Sequence, residues 1–125
     1  MQIDTTYDNT SLWSRVLKIA LQYPEVLEST AYGSPAIRVG KTYLAGLRNE
    51  GELSISLPDF EREILLETQP DIYYITDHYL NSHYVIVRLA KIPDEDLQYL
   101  IESAWRRRAP KRLVKHYDER LKSAL

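Results

Sequence analysis

The segment AIRVGKTYLAGLRNEGELSISL, residues 36–57, decides the fold. Two short apolar runs, AIRV (36–39) and TYLAGLR (42–48), flank Gly40-Lys41. A glycine-led pair between such runs is a tight hairpin turn. Asn49-Glu50-Gly51 supplies a second turn, after which Leu53, Ile55 and Leu57 alternate with Ser54 and Ser56. That alternation predicts a half-buried strand whose serine face meets water. Three antiparallel strands in a meander are the simplest arrangement.

On the N-terminal side, residues 1–9 form a loose leader, and Thr10 or Ser11 caps a helix. Its inward stripe is Leu12, Trp13, Val16, Leu17, Ala20 and Leu21, and Pro24 ends it. On the C-terminal side, Pro58-Asp59 starts a second helix, with Asp59, Glu61 and Glu63 where the helix dipole favours negative charge. Phe60 and Ile64 stack at i, i+4, and Leu65 and Leu66 complete its apolar side. IYYI (72–75) and YVIVRLA (84–90) are two further strands around the loop TDHYLNSH. Pro93-Asp94 opens a third helix with the stripe Leu97, Leu100, Ile101, Ala104 and Trp105. Ala109-Pro110 breaks it, and residues 111–125 resume as a helical tail with Leu113, Tyr117 and Leu121 inward. The result is one α+β domain over residues 1–125, a two-layer α-β(3)-α-β(2)-α sandwich with an antiparallel sheet and an added C-terminal helix.

A chain of 125 residues supports one hydrophobic core. It has no cysteine, which removes disulfides, thiolate chemistry and cysteine-based zinc sites. No apolar run approaches the roughly 20 residues that span a bilayer. MQIDTTYDNT lacks the basic-then-apolar order of a signal peptide, so the expected location is the cytoplasm, with no membrane partner. Charge is uneven. Residues 1–100 carry 8 Lys+Arg against 15 Asp+Glu, a balance of −7, whereas residues 101–125 carry 8 against 3, a balance of +5. Such a basic segment can bind a polyanion. The sequence pI near 5.9 nevertheless sits far below the value of roughly 9 typical of dedicated nucleic-acid binders.

The segments STAYGSPAIRVGKTYLAGL (29–47), ITDHY (75–79) and AWRRRAPKRLV (104–114) carry a resemblance. They are similar, in order and spacing across roughly residues 12–114, to the MmcQ/YjbR family of small bacterial proteins. The matching positions are Tyr32, Gly33, Pro35 and Arg38, then Thr76, His78 and Tyr79, then Trp105 and Ala109 to Leu113. The resemblance implies an α-β(3)-α-β(2)-α domain similar to frataxin-like and secretion-chaperone-like folds. It also implies DNA binding through a double wing of two hairpins. This chain departs from the pattern at Tyr84, where an apolar residue or Trp is usual, and in the acidic turn Asn49-Glu50-Gly51-Glu52.

Taken residue by residue, the first wing offers Arg48 and Asn49 beside Glu50 and Glu52, with Lys41 at the other turn. The second offers His78, Tyr79, Asn81, His83 and Tyr84, side chains that stack on bases or donate to them. Solvated hairpin tips would carry the same polar residues. Tyr32-Gly33-Ser34-Pro35 is either a rigid corner or, with Arg38, one wall of a cleft opposite Thr76 and His78. Ten tyrosines make a tyrosine-lined face credible. In WRRRAPKRLVKHY (105–117), Arg106 pairs with Glu102, Arg108 covers the apolar stripe, and Asp118 pairs with Lys122. That leaves Arg107, Lys111, Arg112 and Lys115 without acidic partners and free for phosphates.

Asp77, His78 and His83 are metal-ligand types, but H-x4-H on a loop fits no standard site, and no metal or other cofactor is expected. Glu25 and Glu28 are carboxylates without a matching base or nucleophile, and no nucleophile elbow, glycine-rich phosphate loop or HExxH occurs. The expectation is a non-enzymatic DNA-binding protein. Arg48, Arg107, Lys111, Arg112 and Lys115 would meet phosphates, and His78, Tyr79 and Tyr84 would lie near bases. The competing reading is a protein- or small-ligand-binding module, monomeric or a homodimer, that uses the tyrosine face.

Overall fold

The structure is a computed structural model and describes residues 9–49 and 51–125. Most of the expected leader, and Glu50 of the first wing, therefore lie outside the described residues. Helix α1 (Asn9–Ala20) is followed by strands β1 (Val26–Ala31), β2 (Ser34–Val39), β3 (Thr42–Arg48) and β4 (Glu52–Ser56). Then come α2 (Asp59–Thr68), β5 (Tyr73–Tyr74), a single 3-10 turn (Asp77–Tyr79), β6 (Tyr84–Arg88), α3 (Asp94–Arg108) and α4 (Lys111–Ser123). All neighbours in the sheet are antiparallel, in the order β1-β2-β3-β4-β6-β5.

The α+β sandwich stands, with four strands rather than three before α2. The additional strand is β1, at the sheet edge. Leu-Glu-Ser-Thr has no apolar alternation because Leu27 is exposed and only Val26 is buried. Tyr32-Gly33 is the two-residue tip joining β1 to β2, with Ala31 opposite Ser34. Both tip residues have positive φ, 54° and 78°, the requirement of a type I′ hairpin turn. The expected corner is thus a hairpin tip. Thr10 and Ser11 lie inside α1 rather than capping it.

One face of the sheet carries the core. Leu53, Ile55 and Leu57 meet the α3 stripe, whose five residues Leu97, Leu100, Ile101, Ala104 and Trp105 are all buried. Trp105 also donates from Nε1 to the Pro24 carbonyl at 3.0 Å, which fixes α3 to the loop after α1. In α1, Leu21 is exposed, and Ile19 and Tyr23 are buried in its place, because the helix ends at Ala20 and the chain turns. Leu121 near the end of α4 is likewise exposed, whereas Leu113 is buried.

α2 departs most from expectation. Phe60 and Ile64 face solvent, and the one buried residue of this helix is Arg62. The helix lies beside the short strand β5, so a narrow stripe through Leu65 and Leu66 suffices to hold it.

The second face of the sheet carries a row of small side chains across its first four strands. In register, Ser29, Ala36, Gly46, Ser54 and Ile86 lie opposite one another across β1, β2, β3, β4 and β6, with Tyr74 next on β5. Ser54 and Ser56, expected to meet water, are buried. The register shifts at Ile37/Arg38, where Ala45 pairs with Ile37 and Tyr43 with Arg38. Leu44 is the extra residue of a β-bulge, so Leu44 and Ala45 both enter the core and Tyr43 emerges on the second face.

Candidate functional site

A cleft of about 1100 Å³ opens over this second face. The β1–β2 hairpin forms one side, with Tyr32 and Arg38, and the loop before β6 forms the other, with His78, Tyr79 and Tyr84. Gly46 and Ser54 lie on its floor, and Tyr43 and Arg48 also line it.

The aromatic groups form a connected cluster. Ring centroids of Tyr79 and Tyr84 are 6.0 Å apart, those of Tyr43 and Tyr84 6.1 Å, and His78 meets Tyr79 edge-on at 5.1 Å. Tyr79 reaches across the floor, its hydroxyl accepting from Ser54 Oγ at 3.5 Å. Tyr43 lies against Gly46: a Cβ at that glycine would come within 2.5 Å of the Tyr43 hydroxyl oxygen. Gly46 therefore gives the ring its seat.

The walls stay in place through Arg62. Its buried guanidinium donates from Nε to the Tyr84 carbonyl at 2.8 Å and from Nη2 to the Tyr79 carbonyl at 2.7 Å. A charge removed from water must be repaid by hydrogen bonds, and these two bonds fasten the loop that carries the aromatic wall. Arg62 is thus a positioning residue for the cleft.

Two cations flank the rings. Arg38 lies 5.8 Å from the Tyr43 centroid and donates to Ser29 Oγ and to the carbonyls of Thr30 and Lys41. No carboxylate faces it among the described residues. Arg48 lies 5.8 Å from the Tyr79 centroid, but it is paired with Glu52 at 3.2 Å. Glu52 also accepts from the Tyr74 hydroxyl. Burial, with Tyr84 and Tyr79 nearby, pushes the Tyr43 hydroxyl up to about 12, so it remains a neutral donor at physiological pH.

The structure thus brings together Tyr32, Arg38, Arg48, His78, Tyr79 and Tyr84. Gly33 and Pro35 belong to the adjoining hairpin, and Thr76 accepts from the Tyr79 amide at the loop start. His83 turns to Asp59, its Nδ1 2.6 Å from the carboxylate, and so parts from His78. The basic tail lies elsewhere. Lys111 and Lys115 line a separate groove with Arg106 and Asp118, and α4 carries them away from the cleft.

Of the four cations expected to lack acidic partners, Arg112 has one, and Arg107 is engaged by a neutral hydroxyl. Arg112 sits 3.6 Å from Glu25, and Arg107 donates to Ser56 Oγ at 3.1 Å. Asp118 takes Arg106 at 2.9 Å, which also binds Glu102, and this guanidinium holds the Asp118 carboxyl below its ordinary range. The expected local pair Arg106–Glu102 is present along α3, whereas Asp118, expected to pair with Lys122, takes Arg106 instead. The partners of Arg107 and Arg112 come from elements distant in sequence.

Tyr43, Gly46, Ser54 and Arg62 escaped the sequence reading. Ser54 carried a signal, since alternation placed it on the second face, and only the roof over that face was missing. Tyr43 carried none, because a bulge sets its direction.

Fold and cleft together define a small α+β protein that presents an aromatic and cationic sheet face opposite its helical core. The chain belongs to the YjbR family, whose model matches residues 21–107. The uncharacterized proteins Mb2600 of Mycobacterium bovis and Rv2570 of Mycobacterium tuberculosis are each 42% identical to it over 53 residues. Each match covers 42% of this chain and 41% of the relative, so it spans about two fifths of those proteins. The crystal structure of Deinococcus radiodurans protein DR2400, with a DUF419 domain, shares the fold at a TM-score of 0.61 and 20% identity, over 72% of each chain. No helix among the described residues is long and apolar enough to cross a membrane.

Proposed function

We propose that this chain is a non-enzymatic cytoplasmic DNA-binding protein, and that the sheet-face cleft takes a single-stranded segment. One observation carries the reading: Arg38 and Arg48 flank a trough lined by Tyr43, Tyr79, Tyr84 and His78. Single strands bind where aromatic rings offer stacking surfaces and cations track the backbone, with each stacked base worth about 1–3 kcal/mol. Tyr79 and Tyr84 supply the rings, and Arg38 supplies the uncompensated charge. A rigid duplex has no exposed base faces to offer such a trough. Lys111 and Lys115 would form a secondary phosphate contact on α4.

The test is anisotropy of labelled single-stranded and duplex DNA over a salt series. Single strands are expected to bind more tightly, with affinity falling as salt rises by roughly 0.7 slope units per phosphate contact. Tyr79→Ala and Arg38→Gln should each weaken binding, whereas Arg112→Gln should not. Failure of both DNAs to bind at low salt refutes the reading. The Arg48–Glu52 pair favours a second one, since a carboxylate beside the trough suits a neutral or peptide ligand. That reading predicts binding indifferent to salt yet lost in Tyr79→Ala.

A further inference from the structure

On the helical side, away from the sheet-face cleft, a groove of about 250 Å³ runs between α2 and α3. Ile64, Leu65 and Leu100 give it apolar walls, Tyr73 and Tyr99 give it aromatic ones, and Glu61 and Asp96 give it carboxylates. Glu61 is the informative residue. Its Oε1 accepts from the Tyr99 hydroxyl at 2.9 Å, whereas its Oε2 is buried and has no hydrogen-bond partner. A buried carboxylate oxygen without a donor is costly, so its setting calls for a donor from outside.

The neighbouring acids are already engaged. Asp59 faces His83, and Asp94 faces Arg15. Neither Glu61 nor Asp96 has an ion-pair partner among the described residues. The site thus offers unbalanced negative charge at the end of a lined apolar slot. Ile64 and Tyr99 remain exposed at its mouth.

We infer that this groove binds a lysine or arginine side chain of a basic partner polypeptide. The methylene stem lies along Ile64, Leu65 and Leu100, and the cationic head donates to Glu61 Oε2 beside Asp96. Tyrosine rings add a cation–π contribution at such a site. A metal ion would need more ligands than Glu61 and Asp96 provide, and an anion is excluded by sign. The inference does not rest on the nucleic-acid reading, because the two sites use different residues.

The probe is a set of capped tripeptides, acetyl-Leu-X-Leu-amide with X as Arg, Lys, Gln or Glu. They are titrated into the 15N-labelled full chain and followed through the amides of Leu65, Tyr99 and Leu100. The Arg and Lys peptides should shift these amides in the millimolar range, and the Gln and Glu peptides should not. Glu61→Gln should weaken the Arg peptide about tenfold, the loss of one charge-assisted hydrogen bond. Asp96→Asn, which removes a neighbouring charge rather than the acceptor itself, should weaken it by less than the Glu61→Gln change.

Three outcomes overturn the inference: equal shifts with the Gln peptide, unchanged affinity in Glu61→Gln, or no shift at the groove. Peptide-free shifts at these amides that grow with protein concentration overturn it too, since they would make a second copy's basic tail the occupant.

Discussion

Replacing Arg62 with methionine tests the link between packing and site most directly. Methionine keeps most of the buried stem, so little cavity forms, but it removes the donors to the carbonyls of Tyr79 and Tyr84. Hydrogen bonds involving a charged group contribute about 1.5–3 kcal/mol each, so two of them set a lower figure of about 3 kcal/mol. Relief of the desolvation of a buried guanidinium offsets part of any larger value, and about 3 kcal/mol is therefore the expected loss. Against a total stability of roughly 5–15 kcal/mol, this is a large fraction. Urea unfolding should show a midpoint lower by about 1–2 M, with an unchanged slope, for m near 2 kcal/mol/M. The control is Glu63→Gln. Glu63 lies 3.6 Å from Arg62 but is mostly exposed, and its loss should move stability by under about 0.5 kcal/mol. An Arg62→Met protein within about 1 kcal/mol of the parent would refute the anchoring argument.

Gly46→Ala places a methyl where the Tyr43 hydroxyl lies, so the ring must leave its seat. Ultraviolet titration should then show one tyrosine ionising closer to 10 than to 12, and DNA binding should weaken without loss of fold. Stability should fall as pH rises between about 10 and 12. Burial raises Tyr43 and Tyr73 to about 12, so across that window the unfolded chain loses protons that the folded chain retains. Chemical unfolding at stepped pH checks this, and Tyr43→Phe should make the decline shallower. Trp105→Phe leaves the Pro24 carbonyl without its donor and opens space in the core. It should cost about 2–3 kcal/mol by thermal or urea unfolding, which separates this motif residue from any role in binding.

Much of the fold was legible because local pattern and tertiary burial agree. The α3 stripe recurs at helical spacing and is buried throughout, and Pro58, Pro93 and Pro110 each precede the helix they announce. β1 was illegible for the converse reason. An edge strand is held by its partner's backbone, and Leu-Glu-Ser-Thr advertises neither an apolar face nor a turn. Phe60 and Ile64 have helical spacing, but spacing cannot say whether a partner surface lies beneath them.

In the cleft, Arg48, His78, Tyr79 and Tyr84 were nominated from two loops that the topology does bring together. The basic tail could not be assigned from composition, because its neighbours Glu25 and Ser56 are distant in sequence. Arg62 could not be found either, since an arginine within an acidic helix carries no mark of burial until the loop above it is placed.

The bulge at Leu44 makes the cleft a matter of counting as well as chemistry. Tyr43 and Ala45 stand opposite the consecutive residues Arg38 and Ile37, so Leu44 is the one residue that the partner strand does not match. Were the same chain paired without the bulge, alternation would put Leu44 on the second face and turn Tyr43 into the core. Deletion of Leu44 has the milder outcome: the ladder becomes regular, Tyr43 stays opposite Arg38, and only the core loses a side chain. The extra residue thus lets one short strand place two neighbours in the core and still keep its tyrosine in the cleft.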